Sequence, residues 1–389
     1  MKRKKLLLGV LVPLLFTLLL SVTIQEIAEK PPTPKQPNVF FGVDIGYGGY
    51  EDAVKNIDAV SNFTNLVILG SLDVTTATEN LTKICDYLYQ KGLYFIIYVG
   101  FAQEEYLPPR GPNPEFFNQT AGRWGDKFLG VYLFDEVGGK QIDLHHPVVP
   151  KAASYTEAAE IFVATLTGDI DINFLWYEPP RPKLYLSDYA LFWYDYLSGY
   201  DTVFTEFVGN QSRQLAIALC RGAAKTQNKE WGAIITWKYT QPPYLPNATE
   251  LYSDMMLAYE NGAKYIVIFN SPDNQTATTP HGTLTTEHLK AMQQFWNYMQ
   301  QNPQKQPYTA NQAYVLPKDY GFGFRNPTDK IWGLWEADPL APDIWNQANN
   351  LTKTYNYNLD IVYEKLIDNK QANLPYTKLI YWNGTTTEP

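Results

Sequence analysis

From residue 39 onward, short runs of apolar, β-branched and aromatic residues alternate with longer stretches in which apolar residues return every three or four positions. The short runs fall at 40–45, 65–70, 93–99, 130–134, 183–186, 202–206, 231–237 and 264–269. They are nearly continuous in apolar character, which suits strands covered on one face by helices and on the other by one another's side chains. Between them the spacing predicts helices: Ala53, Val54, Ile57 and Val60 share one face, as do Leu81, Ile84, Cys85 and Leu88 before a stop at Gly92. Ser154 and Glu157 make a capping box ahead of Ile161 and Leu166, and Gly262 ends the helix that carries Leu251, Met255 and Ala258. A last helix runs over 287–299. Eight such pairs within residues 39–306 fit a (β/α)8 barrel, which takes about 250 residues. An open doubly wound sheet is the alternative, but no glycine-rich dinucleotide fingerprint follows the first strand.

The flanks read differently. Lys2, Arg3, Lys4 and Lys5 precede a chargeless apolar stretch from Leu6 to Gln25, the form of an export signal. At about 20 residues it also reaches the length of a membrane-spanning anchor, and no Ala-x-Ala cleavage site follows. Residues 26–38 include PPTPKQP, a stiff extended spacer. Residues 307–389 hold three further apolar runs, at 313–317, 359–364 and 378–384, and a helical pattern near 343–351. They predict a small α/β appendage packed on the barrel. YGFGFR at 320–325 lacks the Lys-Ser/Thr of a phosphate loop and reads as a turn. The whole is an α/β chain: an N-terminal signal or anchor helix, a linker, a TIM barrel and an appendage.

Charge narrows the partners. With 40 acidic against 31 basic residues the formal charge is −9, which opposes nucleic acid binding. Asn-x-Ser/Thr acceptors occur at Asn62, Asn80, Asn118, Asn210, Asn247, Asn274, Asn350 and Asn383. Together with the N-terminal segment they predict a glycosylated protein at or beyond the cell surface, tethered to the membrane if the signal is kept. Cys85 and Cys220 lie on apolar helix faces and read as core residues. His145, His146, His281 and His288 lack metal-ligand spacing, so neither metal nor cofactor is expected. No Gly-x-Ser-x-Gly elbow is present.

In a barrel the chemistry belongs at the carboxyl ends of the strands. Those ends carry Asp44, Ser71 and Asp73, Tyr98 and Phe101, Asp135 and Glu136, Ser187 and Asp188, Glu206, Trp237 with Lys238 and Tyr239, and Asn270. The fourth is the most pointed: GVYLFDEVGG places two carboxylates between an apolar strand and a Gly-Gly turn. Strand alternation sends Asp135 and Glu136 to opposite faces unless the turn has already begun. A charge at such a position is better explained by a cavity than by packing; pairing with a lysine such as Lys238 is the bland alternative. Breaking a glycosidic bond takes two carboxyl groups of unequal proton affinity flanking that bond. Glu136 and Glu206, from the fourth and sixth strands, are the expected pair, with Asp135 beside them. Tyr98, Trp237 and Tyr239 are candidate stacking surfaces for a sugar ring, an aromatic content of 15% making such platforms available. Asp44, Asp73, Asp188, Lys238 and Asn270 are candidate partners for its hydroxyls.

On these residues, 39–300 resembles the (β/α)8 glycoside hydrolases. Carboxylates on strands four and six are similar to the α-galactosidase-like enzymes, matching Glu136 or Asp135 with Glu206. Asp135-Glu136-Val137 looks like the Asp-Glu pair of the β-hexosaminidase-like enzymes. There the resemblance implies that Asp135 orients an acetamido group and Glu136 is the acid. Tyr132, Leu133 and Phe134 depart from the glycine-containing lead-in of that group, and no carboxylate lies near Trp237 where many barrel glycosidases keep a nucleophile. The tail is loosely similar to amidotransferase-like domains but has no nucleophilic Cys. The competing reading is a non-catalytic barrel that binds glycan or builds the cell envelope.

Overall fold

A computed structural model describes residues 37–99, 114–174, 181–270, 282–303, 306–364, 366–367, 370–371 and 374–388. The expected export segment, most of the spacer, Phe101, Asn274 and His281 lie outside the described residues. Among the described residues no helix is long and apolar enough to cross a membrane. Residues from Val39 to Pro389 form one compact unit.

Eight parallel strands close on themselves: β1 (Phe40–Ile45), β2 (Leu66–Leu69), β3 (Tyr94–Tyr98), β4 (Phe128–Asp135), β5 (Lys183–Asp188), β6 (Thr202–Phe207), β7 (Glu230–Ile235) and β8 (Tyr265–Phe269), with β8 pairing back onto β1. The described helices between and after them are α1 (Tyr50–Val60), α2 (Leu72–Thr75), α3 (Thr78–Gln90), α4 (Pro114–Trp124), α5 (Val137–Asp143), α6 (Tyr155–Phe174), α7 (Phe192–Leu197), α8 (Arg213–Thr226), α9 (Ala248–Glu260) and α10 (Thr286–Gln301).

Period-two alternation divides the strand side chains into two cores. Phe40, Ile68, Ile96, Tyr185, Phe204 and Tyr265 fill the barrel. Phe41, Val67, Ile97, Leu184, Val203 and Ile266 face the helices. Extending the inward rows by one step brings Asp44, Tyr98, Ser187 and Glu206 to the mouth. β4 breaks the alternation. Its register with β3 shifts near Gly130 and its register with β5 shifts between Tyr132 and Phe134, so Leu133 and Phe134 both join the helix-side core. Gly130 has φ 147, and a Cβ there would lie 2.2 Å from the Lys183 carbonyl oxygen. Only glycine fits that bulge.

The caps read from sequence carry local detail. Ser154 Oγ accepts the Glu157 N–H at 3.1 Å, while the Glu157 carboxylate takes the N–H of Ala153. Gly262, at φ 85, follows the end of α9.

The C-terminal residues build a second sheet in the order β10 (Leu359–Tyr363), β9 (Gln312–Leu316), β13 (Lys378–Tyr381), β14 (Thr386–Thr387), with α11 (Leu340–Tyr355) and a short β11 (Leu366–Ile367)–β12 (Lys370–Gln371) hairpin. It packs on the barrel through α8. Arg221 there is buried against Asp360 at 2.8 Å and also donates to Asn261 and to the carbonyls of Tyr357 and Leu359. Gly222 allows the approach, since a Cβ would stand 2.5 Å from the Ile361 carbonyl oxygen.

Candidate active site

A cavity of about 570 Å³ opens at the carboxyl ends of the barrel strands. Asp44, Asp73, Tyr98, Asp135, Glu136, Glu206 and Trp237 line it, joined by Tyr132, Ser187 and Phe269. Asp135 and Glu136 both face the cavity. The bulge in β4 turns Asp135 inward, and the strand ends there. Glu136 already belongs to the turn, with φ 58 and ψ 35, a left-handed conformation disfavoured by about 1–2 kcal/mol for a residue with a Cβ.

The carboxyls are wired together. Tyr132 donates to Asp135 Oδ1 at 2.9 Å; Ser187 Oγ lies 2.6 Å from the Tyr132 hydroxyl, 2.8 Å from Asp135 Oδ1 and 3.0 Å from Glu206 Oε1. Glu136 and Glu206 line the same cavity, close enough for the charge of Glu136 to add to the proton affinity of Glu206. Burial, then the charge of Asp135, push Glu136 up to about 7. Glu206 is raised well above the carboxylate range by deeper burial and then by Glu136 and Asp135. Glu136 has a cation beside it: Lys140 Nζ is 3.7 Å from its Oε2 and 3.8 Å from Asp135 Oδ2. Of the two, Glu206 is the one that keeps its proton and Glu136 the one that carries charge.

Asp44 is buried, with its Oδ1 unpartnered, and burial followed by repulsion from Asp135 raises its proton affinity. Two aromatic groups flank the carboxyls. Tyr98 meets Tyr132 edge-on at 5.0 Å, and Trp237 meets Phe269 at 5.9 Å.

Four residues expected at the site do not line the cavity. Lys238 pairs with Glu250 at 2.6 Å, and Tyr239 is exposed beside it, because β7 ends at Ile235 and the following loop turns away. Asn270 is buried, bonding Asn56 and the backbone of Thr283 and Leu284. Asp188 points to the helix side, one position past inward-facing Ser187. Strand parity alone signals that placement. The lysine beside the carboxylates is Lys140, three residues past Val137, and not Lys238. Tyr132 and Ser187 were not among the expected catalytic or binding residues; both fall on the inward rows, a signal available in the sequence. Among the described residues no group of His, Cys, Asp and Glu side chains is arranged to hold a metal ion.

The architecture has solved counterparts. GH5_18 from Streptomyces cattleya, in complex with GlcNAc, superposes with a TM-score of 0.53 at 13% identity, over 90% of this chain and 100% of that one. A β-galactosidase from the haloarchaeon Halorubrum lacusprofundi gives 0.56 at 11% identity, over 88% of this chain and 69% of that one. The fold is glycoside hydrolase-like. No protein-family model matches the chain, and no curated protein does. A glycoside hydrolase-like barrel at such low identity carries its architecture to this chain and leaves the chemistry to its own residues.

Proposed function

We propose that this chain is an exported glycoside hydrolase in which Glu206 acts as the acid and Glu136 as the attacking carboxylate. The observation that carries the reading is a pair of glutamates of unequal environment on the wall of one cavity, Glu206 buried and Glu136 beside Lys140. Glu206 gives its proton to the leaving-group oxygen as the glycosidic bond breaks, and Glu136 closes on the anomeric carbon. Glu206, now ionised, takes a proton from water, whose oxygen displaces Glu136 and restores both groups. Attack by Glu136 itself, rather than by a water it activates, makes the proposed course a retaining one, for which the two carboxyls stand roughly 5 to 5.5 Å apart. Trp237 and Tyr98 offer faces for a sugar ring, and Asp44 an acceptor for its hydroxyls. That the GH5_18 relative holds GlcNAc in its crystal supports a carbohydrate ligand here. Exposure of Asn62, Asn118, Asn210, Asn247, Asn350 and Asn383 supports export and glycosylation, with residues 1–25 as signal or membrane tether.

The test is turnover of a glycoside panel by the purified chain beside Glu136→Gln and Glu206→Gln. Wild-type rates in both variants would remove the assignment. A second reading, a glycan-binding barrel without turnover, draws on the aromatic lining, since Trp237 and Tyr98 would serve binding as well as catalysis. It predicts saccharide binding that survives both substitutions and no product.

A further inference from the structure

The Asp-Glu-Val-Gly-Gly turn is held by a group that the hydrolytic chemistry does not touch. Asp188 leaves β5 on the outer face and is fully buried. Its Oδ2 accepts the Gly138 N–H at 2.5 Å, and its Oδ1 accepts those of Gly139 at 2.8 Å, Tyr189 at 2.7 Å and Ala190 at 3.1 Å. One carboxylate thus ties the first turn of α5 to the loop leaving β5. The neighbouring Glu136 N–H donates to the Ser187 carbonyl at 2.8 Å. Gly138 and Gly139 make this closeness available. A Cβ on Gly138 would lie 2.6 Å from the Ala190 carbonyl oxygen and 2.8 Å from Asp188 Oδ2, and one on Gly139 would lie 2.1 Å from the Tyr189 ring.

We propose that Asp188 is a positioning residue for Glu136: its four backbone bonds hold the start of α5 so that Glu136 stays in its left-handed conformation, aimed into the cavity against Glu206. The catalytic consequence rests on the reading of Glu136 as the attacking carboxylate; the positioning does not. Left-handed backbone is disfavoured for a residue with a Cβ, so the conformation persists only where its surroundings fix it. The far end of α5 is fixed independently. Gln141 exchanges hydrogen bonds with Val149 and donates to the Trp332 carbonyl at 2.9 Å, and Asp143 is gripped by Arg325 and Tyr189. Asp188 instead holds the end of α5 next to Glu136. Its N–H donors favour the ionised form, against burial that pushes it up to about 7.

The experiment compares Asp188→Asn, Gly138→Ala and, as a stability control in α11 against the second sheet, Ile344→Val. Glu136 is titrated by carboxyl carbon NMR, assigned with Glu136→Gln, and turnover is measured where a substrate has been found. Asp188→Asn sets an amide where an acceptor is needed, so Glu136 swings toward solvent and titrates at lower pH, close to an ordinary glutamate. Turnover falls about tenfold or more in kcat with little change in KM, as misplacement of a reacting group does. Gly138→Ala gives the same displacement with Asp188 retained, and it carries the test if Asp188→Asn does not fold. A Glu136 titration unmoved in both variants, with Tm lowered only as in Ile344→Val, overturns the proposal. If wild type turns over nothing while the titration still moves, the hydrolase reading fails and the positioning stands.

Discussion

At the scale of single residues, the cavity is defined by carboxyls that resist ionisation. Burial is the first cause at Asp44, Glu136 and Glu206, with mutual repulsion adding to it. Each group binds its proton more tightly in the folded chain than in the unfolded one. Their stabilising contribution is therefore complete below the ordinary carboxylate range near 4–4.5 and is lost as pH rises through the folded-state values, about 7 for Glu136. Calorimetry at pH 5 and pH 8 is expected to give the higher Tm at pH 5, and Asp44→Asn is expected to narrow that gap by raising the value at pH 8. A Tm that climbs between pH 5 and 8 would contradict the burial described. The same groups set the rate profile. Turnover is expected to rise toward pH 7 as Glu136 ionises and to fall above it as Glu206 loses its proton, the two limbs belonging to the pair. An optimum below pH 5 would assign the chemistry elsewhere. Glu206→Gln removes the proton donor and should lower kcat by about 10²- to 10⁴-fold, read with a substrate whose leaving group needs protonation.

At the scale of elements, β1 to β8 were legible because strands buried on both faces leave apolar runs that survive any detail of packing. The order of Asp44, Glu136 and Glu206 around one mouth followed from the barrel alone. What sequence spacing did not carry is the irregularity of β4. Alternation counted from Val131 separates Asp135 from Glu136, whereas the bulge and the early turn bring them together. Gly130 was a visible hint, since a glycine inside an apolar strand marks a bulge or a close approach. The end of β5 misled, and β7 ended earlier than its apolar run. Asp188 is still in its strand and faces outward, while Trp237 lies past the end of its own and still reaches the cavity. If the bulge is what turns Asp135 inward, Gly130→Ala should disturb both fold and site. Its φ of 147 and the 2.2 Å approach to Lys183 put the loss at about 1–3 kcal/mol, measured by urea unfolding. An unaltered midpoint would show that β4 has another way past that position.

At the scale of the molecule, the C-terminal sheet is part of what holds the barrel face beside the site. α8 follows β6, the strand that carries Glu206, and packs directly on β10. α5 is bound to Trp332 and Arg325 from the same C-terminal residues. The joint with α8 centres on Arg221, 7% exposed, and Asp360, fully buried, whose other carboxylate oxygen accepts the Tyr376 hydroxyl at 2.9 Å. A buried ion pair of this kind contributes little beyond a well-packed apolar substitute, but removing one partner strands the other charge. Arg221→Met is therefore expected to destabilise the chain by about 3–5 kcal/mol, while Arg221→Met combined with Asp360→Asn should recover part of that loss because no charge is left unpaired. A double-mutant cycle by denaturant unfolding measures the coupling. If the two losses simply add, Arg221 and Asp360 act independently and the sheet is held by apolar contact alone. If the single variant instead unfolds in two steps, the C-terminal sheet is a separate cooperative unit, and its grip on α5 and α8 is weaker than the packing implies.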